Sequence, residues 1–372
     1  VLNRDAAERM VNLTTEGRVP RFLNAAWRSR QWRFAWMALG LLLSACSQPQ
    51  LYTQESYVFG TRVQISIYGL EPDVAAKHAN AVLKELDRLH LKLHAWQPSE
   101  VTRLNQAFAR GETAVVDIEL AQMIQQAANY AQRSDQLFNP AVGNLVQLWG
   151  FHQDQFAPVT PDPAALQAAL AAQPNLDNLT WNGASVSSSN PQLAIDFGGF
   201  AKGWALDHSA NYLRKARVMN ALVNIGGNVI ALGKKGGEPW VVGLQHPRLP
   251  EAMATLPLYD GEAIGTTGDY QRFFEMNGRR YSHVIDPRNG QPAQGVQAVT
   301  VLSPSHADAG TVSDVATKPM FIQGVPSALL YAQRFGIKDV LMVSANGDVY
   351  ITEQLQQRLT WLKSPPHLYR LR

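Results

Sequence analysis

The chain has 372 residues, 46% hydrophobic and 17% charged, a balance that supplies a buried core and excludes both an intrinsically disordered chain and a polytopic membrane protein. Its formal charge is +3, too small a surplus for a nucleic-acid-binding face. The surplus sits in residues 1–45, where seven arginines face only Asp5, Glu8 and Glu16, so the rest of the chain is nearly neutral.

The N-terminal stretch reads as a leader. Arg28, Arg30 and Arg33 precede an apolar run from Phe34 to Leu43, followed by Ser44-Ala45-Cys46. The run is about half of the ~20 apolar residues that span a bilayer, so it predicts a cleaved signal segment rather than a transmembrane helix. Leu43-Ser44-Ala45-Cys46 resembles the lipobox of bacterial lipoproteins, which makes Cys46 the expected lipidation site. Because Cys46 is the only cysteine, an internal disulfide and a Cys-rich zinc site are excluded. The expected organisation is a leader over 1–45, a tether over 46–55, a single domain over 56–363 and a C-terminal tail over 364–372.

Beyond the leader, Val58 to Tyr68 predicts a strand, with Val63, Ile65 and Ile67 alternating against polar neighbours. A helix follows Pro72-Asp73, with Asp73 as N-cap and Ala75, Ala79, Val82, Leu86, Leu89 and Leu93 as one buried stripe. A second helix is expected over 119–133. Residues 152–190 read as a surface excursion carrying one helix near 163–172. Leu193 to Asp196 predicts a short strand running into a glycine turn, and a helix over 202–215 follows it. Strands are expected over 221–232, 240–244, 298–302 and 339–343, with helices over 307–318 and 325–334. Strands and helices mix without strict βαβ alternation, which predicts an α+β fold of mixed sheets packed with helices.

Four segments could carry chemistry. Asp196-Phe-Gly-Gly-Phe-Ala-Lys-Gly203 lies at a strand-to-helix junction. Its glycines allow close backbone approach, and Lys202 could neutralise phosphate, or the segment is simply a turn. Asn224-Ile-Gly-Gly-Asn228 is either a tight bend or a second set of backbone donors. His283 sits near Thr266, Thr267, Arg279, Arg280 and Asp286, so it either acts as a general acid or base or bonds locally to close the 286–290 turn. Asp314 and Thr317 share one helical face, an oxygen pair suited to Mg²⁺, or Asp314 is a helix cap.

Together, in this order, these segments resemble the ApbE-type FAD:protein FMN transferases, formerly called thiamine-biosynthesis lipoproteins. The similarity runs from about Tyr57 to Gly324. It includes Phe59-Gly60-Thr61, the Trp96 to Asn105 block and the Phe138 to Gly150 block, as well as the four segments above. The resemblance implies that Phe59 and Trp96 wall the flavin and that Leu137, Phe138 and Asn139 line the same cavity. It implies that Asp196, Lys202 and Ile285 contact FAD. Mg²⁺ would be held by Gly199 and Asp314, with Thr317 supplying an oxygen that the family takes from the next position, here Lys318. His283 would activate the acceptor hydroxyl.

The implied reaction moves FMN from FAD onto Ser or Thr of an exported flavoprotein, such as a subunit of an ion-pumping redox complex, and releases AMP. The expected setting is the periplasmic face of a bacterial membrane, reached through the lipid anchor, with no nucleic-acid partner. Two alternatives use the same site: hydrolysis of FAD to FMN and AMP, and a non-catalytic FAD-binding lipoprotein.

Overall fold

The computed structural model describes residues 50–372 apart from Asp154. The leader, Cys46 and the first part of the expected tether lie outside the described residues. The chain folds as a nine-stranded sheet whose strands lie side by side in chain order. They are β1 (Leu51–Val58), β2 (Thr61–Tyr68), β3 (Ala221–Ile225), β4 (Asn228–Leu232), β5 (Ala263–Gly268), β6 (Val296–Ser303), β7 (Asp339–Ser344), β8 (Val349–Ile351) and β9 (Leu368–Arg370). Each neighbouring pair is antiparallel until β8 and β9, which run parallel.

The described helices are α1 (Pro72–Leu93), α2 (Glu100–Ala109), α3 (Ile118–Arg133), α4 (Gly143–Leu148), α5 (Pro163–Ala171), α6 (Ala201–Lys215), α7 (Ala309–Gln323), α8 (Ala328–Arg334) and α9 (Glu353–Arg358). α1, α6 and α7 cover one face of the sheet, and the hairpin Trp240–Gln245/Ala252–Leu258 covers the other. Alternation sorts the side chains between these layers. Val299, Val301, Val340 and Met342 enter the helix-side core, whereas Ala298, Leu302, Leu341 and Val343 enter the hairpin-side core. A strand with both faces covered reads as a continuous apolar run, and β6 is buried along its whole length.

The α+β class stands as expected, and several details differ. The expected strand over 58–68 is the end of β1, a two-residue turn and β2. β1 starts at Leu51, inside the stretch assigned to the tether, because its alternating exposure suits an edge strand with one solvated side. The tail over 364–372 places Leu368–Arg370 in the sheet as β9. Pro72 occupies the first turn of α1 with Glu71 before it, so Asp73 lies inside the helix rather than capping it; proline's fixed φ and missing N–H suit that position. Residues 193–196 form no strand beyond an Ala194–Val142 bridge. The side chain of Asn105 takes the place of a strand partner there, accepting from Ile195 N–H at 2.7 Å and donating to its carbonyl at 2.9 Å. The 152–190 excursion contains, besides α5, a hairpin of Leu179–Asn182 and Ser185–Ser188. α7 runs five residues beyond the expected end, through Pro319.

α1 and α3 are tied by an ionic network. The buried Lys92 ammonium pairs with Asp117 and, at 2.9 Å, with Glu119, which also accepts from Arg88. The Arg88 hydrogen bond is the main reason the Glu119 carboxyl is held down to about 2 from 4.5. A depressed carboxyl stabilises the fold fully above its unfolded value and loses that contribution as pH falls toward 2. Glu119→Gln is therefore expected to remove up to about 3 kcal/mol at neutral pH and to flatten the decline in stability below pH ~4.5. Urea midpoints at pH 6 and pH 3 check this; parallel shifts at both would contradict it.

Candidate active site

The strand order brings three chain segments to one end of the sheet: the β1–β2 turn, the β3–β4 turn and the end of β5. Against them lie the Asp196–Lys202 segment, the second half of α7 and the His283 loop, enclosing a cavity of about 1300 Å³. That exceeds the roughly 300–1,000 Å³ of ordinary small-molecule sites, leaving room for a dinucleotide and an incoming chain.

Phe59, Trp96, Leu137, Phe138 and Ile285 form apolar parts of its wall, and Asn139, Asp196, Gly199, Lys202 and His283 polar parts. Phe59 and Gly60 have φ of 55° and 67°, so the turn matches the twist of its strands at the cost of a left-handed non-glycine residue. Such strain, roughly 1–2 kcal/mol, places an aromatic ring where glycine would leave none. Trp96 is positioned by His94, whose Nδ1 accepts the backbone N–H groups of Trp96 and Gln97 at 3.1 and 3.0 Å. The Gly226-Gly227 pair is a tight bend at the cavity wall; a Cβ on Gly226 would stand 2.5 Å from Thr61 Oγ1. Asn139 lines the cavity with its amide already used, donating to Pro174 C=O and accepting from Ala141 N–H, both at 2.9 Å.

His283 does not close the 286–290 turn. Asp286 does that, accepting from Arg288 N–H at 3.0 Å. The imidazole Nδ1 instead faces Arg272 C=O at 3.2 Å. A carbonyl only accepts, so Nδ1 carries the proton of the neutral ring and Nε2 is left as a base. Burial, with the charges of Arg272 and Lys202 beside it, pushes the imidazole pKa down to about 3. The arginines on this cavity wall are Arg272 and Arg62, the latter paired with Glu55. Arg279 and Arg280 lie outside the cavity wall, and Arg280 pairs with Glu275 at 2.9 Å.

The rest of the polar wall includes the cations Arg62, Lys202, Arg272 and Lys318. Arg272 Nη2 donates to Phe151 C=O at 2.7 Å and its guanidinium lies over the Phe156 ring. Lys202 makes no ion pair among the described residues. Asp196 accepts from Gly198 N–H at 2.7 Å, and burial raises its carboxyl pKa.

The residues expected to hold Mg²⁺ are arranged otherwise. Asp314 is buried, and neither it nor Thr317 lines the cavity. One Asp314 carboxylate oxygen accepts from Gly203 N–H at 3.0 Å, and the other is paired to Lys318 Nζ. Lys318 also donates to Asp314 C=O at 2.7 Å. Thr317 Oγ1 donates to that same carbonyl at 2.6 Å and sits 2.7 Å from Thr267 Oγ1, so its hydroxyl is spent inside the fold. Only Gly199 of the three reaches the cavity, and a Cβ there would lie 3.2 Å from Lys318 Cε. The ammonium thus occupies the space between Gly199 and Asp314. The Asp314 carboxylate that would have to attract a divalent cation is already neutralised by this ammonium. The assignment of Gly199, Asp314 and Thr317 to Mg²⁺ does not fit these residues: the space belongs to a lysine. Burial pushes the Lys318 pKa down to about 8, and the Asp314 carboxylate opposes that fall.

Sequence reasoning missed Arg272, His94, Phe151 and Phe156 as wall residues. Arg272 lies between two recognised segments, but its carbonyl's contact with His283 depends on how the 269–283 loop folds back.

The geometry can be set beside known proteins. The sequence profile of the ApbE family matches residues 59–342, most of the chain. The chain belongs to the ApbE family. It is 38% identical over 304 residues to an FAD:protein FMN transferase of Rhodobacter capsulatus, covering 82% of this chain and 57% of that protein. The chain thus spans little more than half the length of that relative. It is 30% identical to an FAD:protein FMN transferase of Klebsiella pneumoniae, covering 86% of this chain and 97% of that one. The ApbE protein of Thermotoga maritima superposes with a TM-score of 0.73 at 30% identity, covering 83% of this chain and 99% of that structure.

Proposed function

We propose that this ApbE-family chain transfers FMN from FAD to a Ser or Thr hydroxyl of an exported flavoprotein and releases AMP. One observation carries the reading: a single cavity combines aromatic walls, a neutral imidazole and the cations Lys202, Arg272 and Lys318. The acceptor oxygen bonds to the FMN phosphorus while the bond from that phosphorus to the bridging oxygen breaks. His283 Nε2 takes the hydroxyl proton, and AMP leaves with its charge facing the cations. Little covalent chemistry falls to the protein, so catalysis is mostly alignment and charge stabilisation. No step is assigned to Mg²⁺. Incubation with FAD and an acceptor, followed by a denaturing gel, tests the reading. Fluorescent acceptor supports it, FMN appearing only in solution indicates hydrolysis, and unchanged FAD indicates a binder.

The same reading puts the protein at the periplasmic face of the membrane, anchored through Cys46. Its support is the succession of Arg28 to Arg33, the apolar run and Leu43-Ser44-Ala45-Cys46. Cys46→Ala is expected to abolish incorporation of labelled palmitate and move the protein to the soluble fraction. Unchanged labelling would refute the anchor.

A further inference from the structure

We propose that the Lys318 ammonium is a resident cation for the diphosphate, so that FMN transfer by this chain needs no divalent metal. The inference rests on the transferase reading and specifies its electrostatics. Lys318 lies four residues after Asp314, so both project from the same face of α7. Only Lys318 of the pair lines the cavity, and it stands between Asp314 and the open space.

The donor count points the same way. An ammonium has three N–H groups. Two are directed at Asp314, one at its carboxylate and one at its backbone carbonyl. Within the described residues the third has no protein acceptor, while the side chain lies on the cavity wall beside Gly199. A diphosphate oxygen entering there would complete the set. The oxygens that could otherwise ligate a metal already have partners: each Asp314 carboxylate oxygen accepts a hydrogen bond, and Thr317 Oγ1, which donates to Asp314 C=O, accepts from Thr267. Lys318 also lies close to Gly199 on its other side, where a Cβ would stand 3.2 Å from Lys318 Cε. Lys202 stands on the same wall as a second ammonium.

The test uses purified protein in excess EDTA or in Mg²⁺, with FAD and, as acceptor, the exported domain of a flavinylated redox-complex subunit. Manganese binding is followed by electron paramagnetic resonance without turnover. Wild-type protein is expected to label the acceptor equally in both buffers and to leave the Mn²⁺ signal that of the hydrated ion. Lys318→Thr removes the ammonium and supplies an oxygen, so it is expected to bind Mn²⁺, to lose transfer in EDTA and to regain it with Mg²⁺. Thermal melts and quenching of FAD fluorescence confirm that the variant is folded and loaded. Wild-type transfer abolished by EDTA and restored by Mg²⁺ would overturn the inference while leaving the transferase reading intact. Absence of transfer in either buffer would overturn the transferase reading. The manganese spectra would then decide Lys318 alone, with Mn²⁺ bound by wild type against it and Mn²⁺ bound only by the threonine variant in its favour.

Discussion

His283→Ala is expected to lower the rate of FMN transfer by about 10²–10⁴-fold, the usual worth of a positioned general base, while FAD affinity stays near the wild-type value. The affinity is spared because His283 contributes one small part of a wall otherwise built from Phe59, Trp96, Phe138 and the cations. Single-turnover labelling of an acceptor and quenching of FAD fluorescence separate the two effects. The pH dependence supplies a second readout. A histidine at its ordinary value of 6.5 would lose its basic form through mildly acidic pH. With burial and the neighbouring Arg272 and Lys202 holding it near 3, Nε2 stays unprotonated, and the rate should show no acid limb between pH 7 and 5. A tenfold loss per pH unit below 6.5, absent from the alanine variant's residual rate, would show that the imidazole is solvated and that this account of the base is wrong.

The second large effect concerns folding. Gly265→Ala in β5 is expected to destabilise the protein at or beyond the upper end of the about 1–3 kcal/mol typical of overpacking. A Cβ there would stand 2.1 Å from Ser313 C=O and 2.9 Å from Asp314 N, which are backbone atoms of α7 with no rotamer in which to retreat. α7 is clamped from the other side too, since a Cβ on Gly203 would meet Gly310 C=O at 2.5 Å and Asp314 Cβ at 2.9 Å. Asp207, from α6, holds the start of α7 by accepting Gly310 N–H at 2.7 Å and Thr311 N–H at 2.8 Å. Any outward shift of α7 therefore carries Asp314 and Lys318 with it, and the variant should lose FAD affinity along with stability. A urea midpoint equal to wild type would show that the sheet and α7 can separate at little cost.

His283 and Gly203 mark how far the sequence could be read. His283 was legible as a candidate, with local closure of the 286–290 turn as the competing reading, and the aromatic wall residues were legible only through the resemblance of the ordered segments to the ApbE family. Its partner was not legible. The contact from Nδ1 to Arg272 C=O joins residues eleven apart through a loop whose path no periodicity records. Gly203 read as part of a phosphate turn, yet its lack of a side chain also serves the packing of α6 on α7.

What the amino-acid order determined by itself was local and repetitive: the apolar stripe of α1, the alternation in β2 and the glycine turns. These follow from the periods of helix and strand and from the conformational freedom of glycine, which act over a few residues. What only the tertiary structure decided was where the charges fall. Asp314 and Thr317 carry the residue types for a metal site, and the spacing of one helix allows it. The approach of Gly199 from another segment, and the turn of Lys318 back onto its own Asp314, fill that space with an ammonium instead. Coulomb energies depend on distance and burial across the fold, and neither is written in the spacing of residues along the chain.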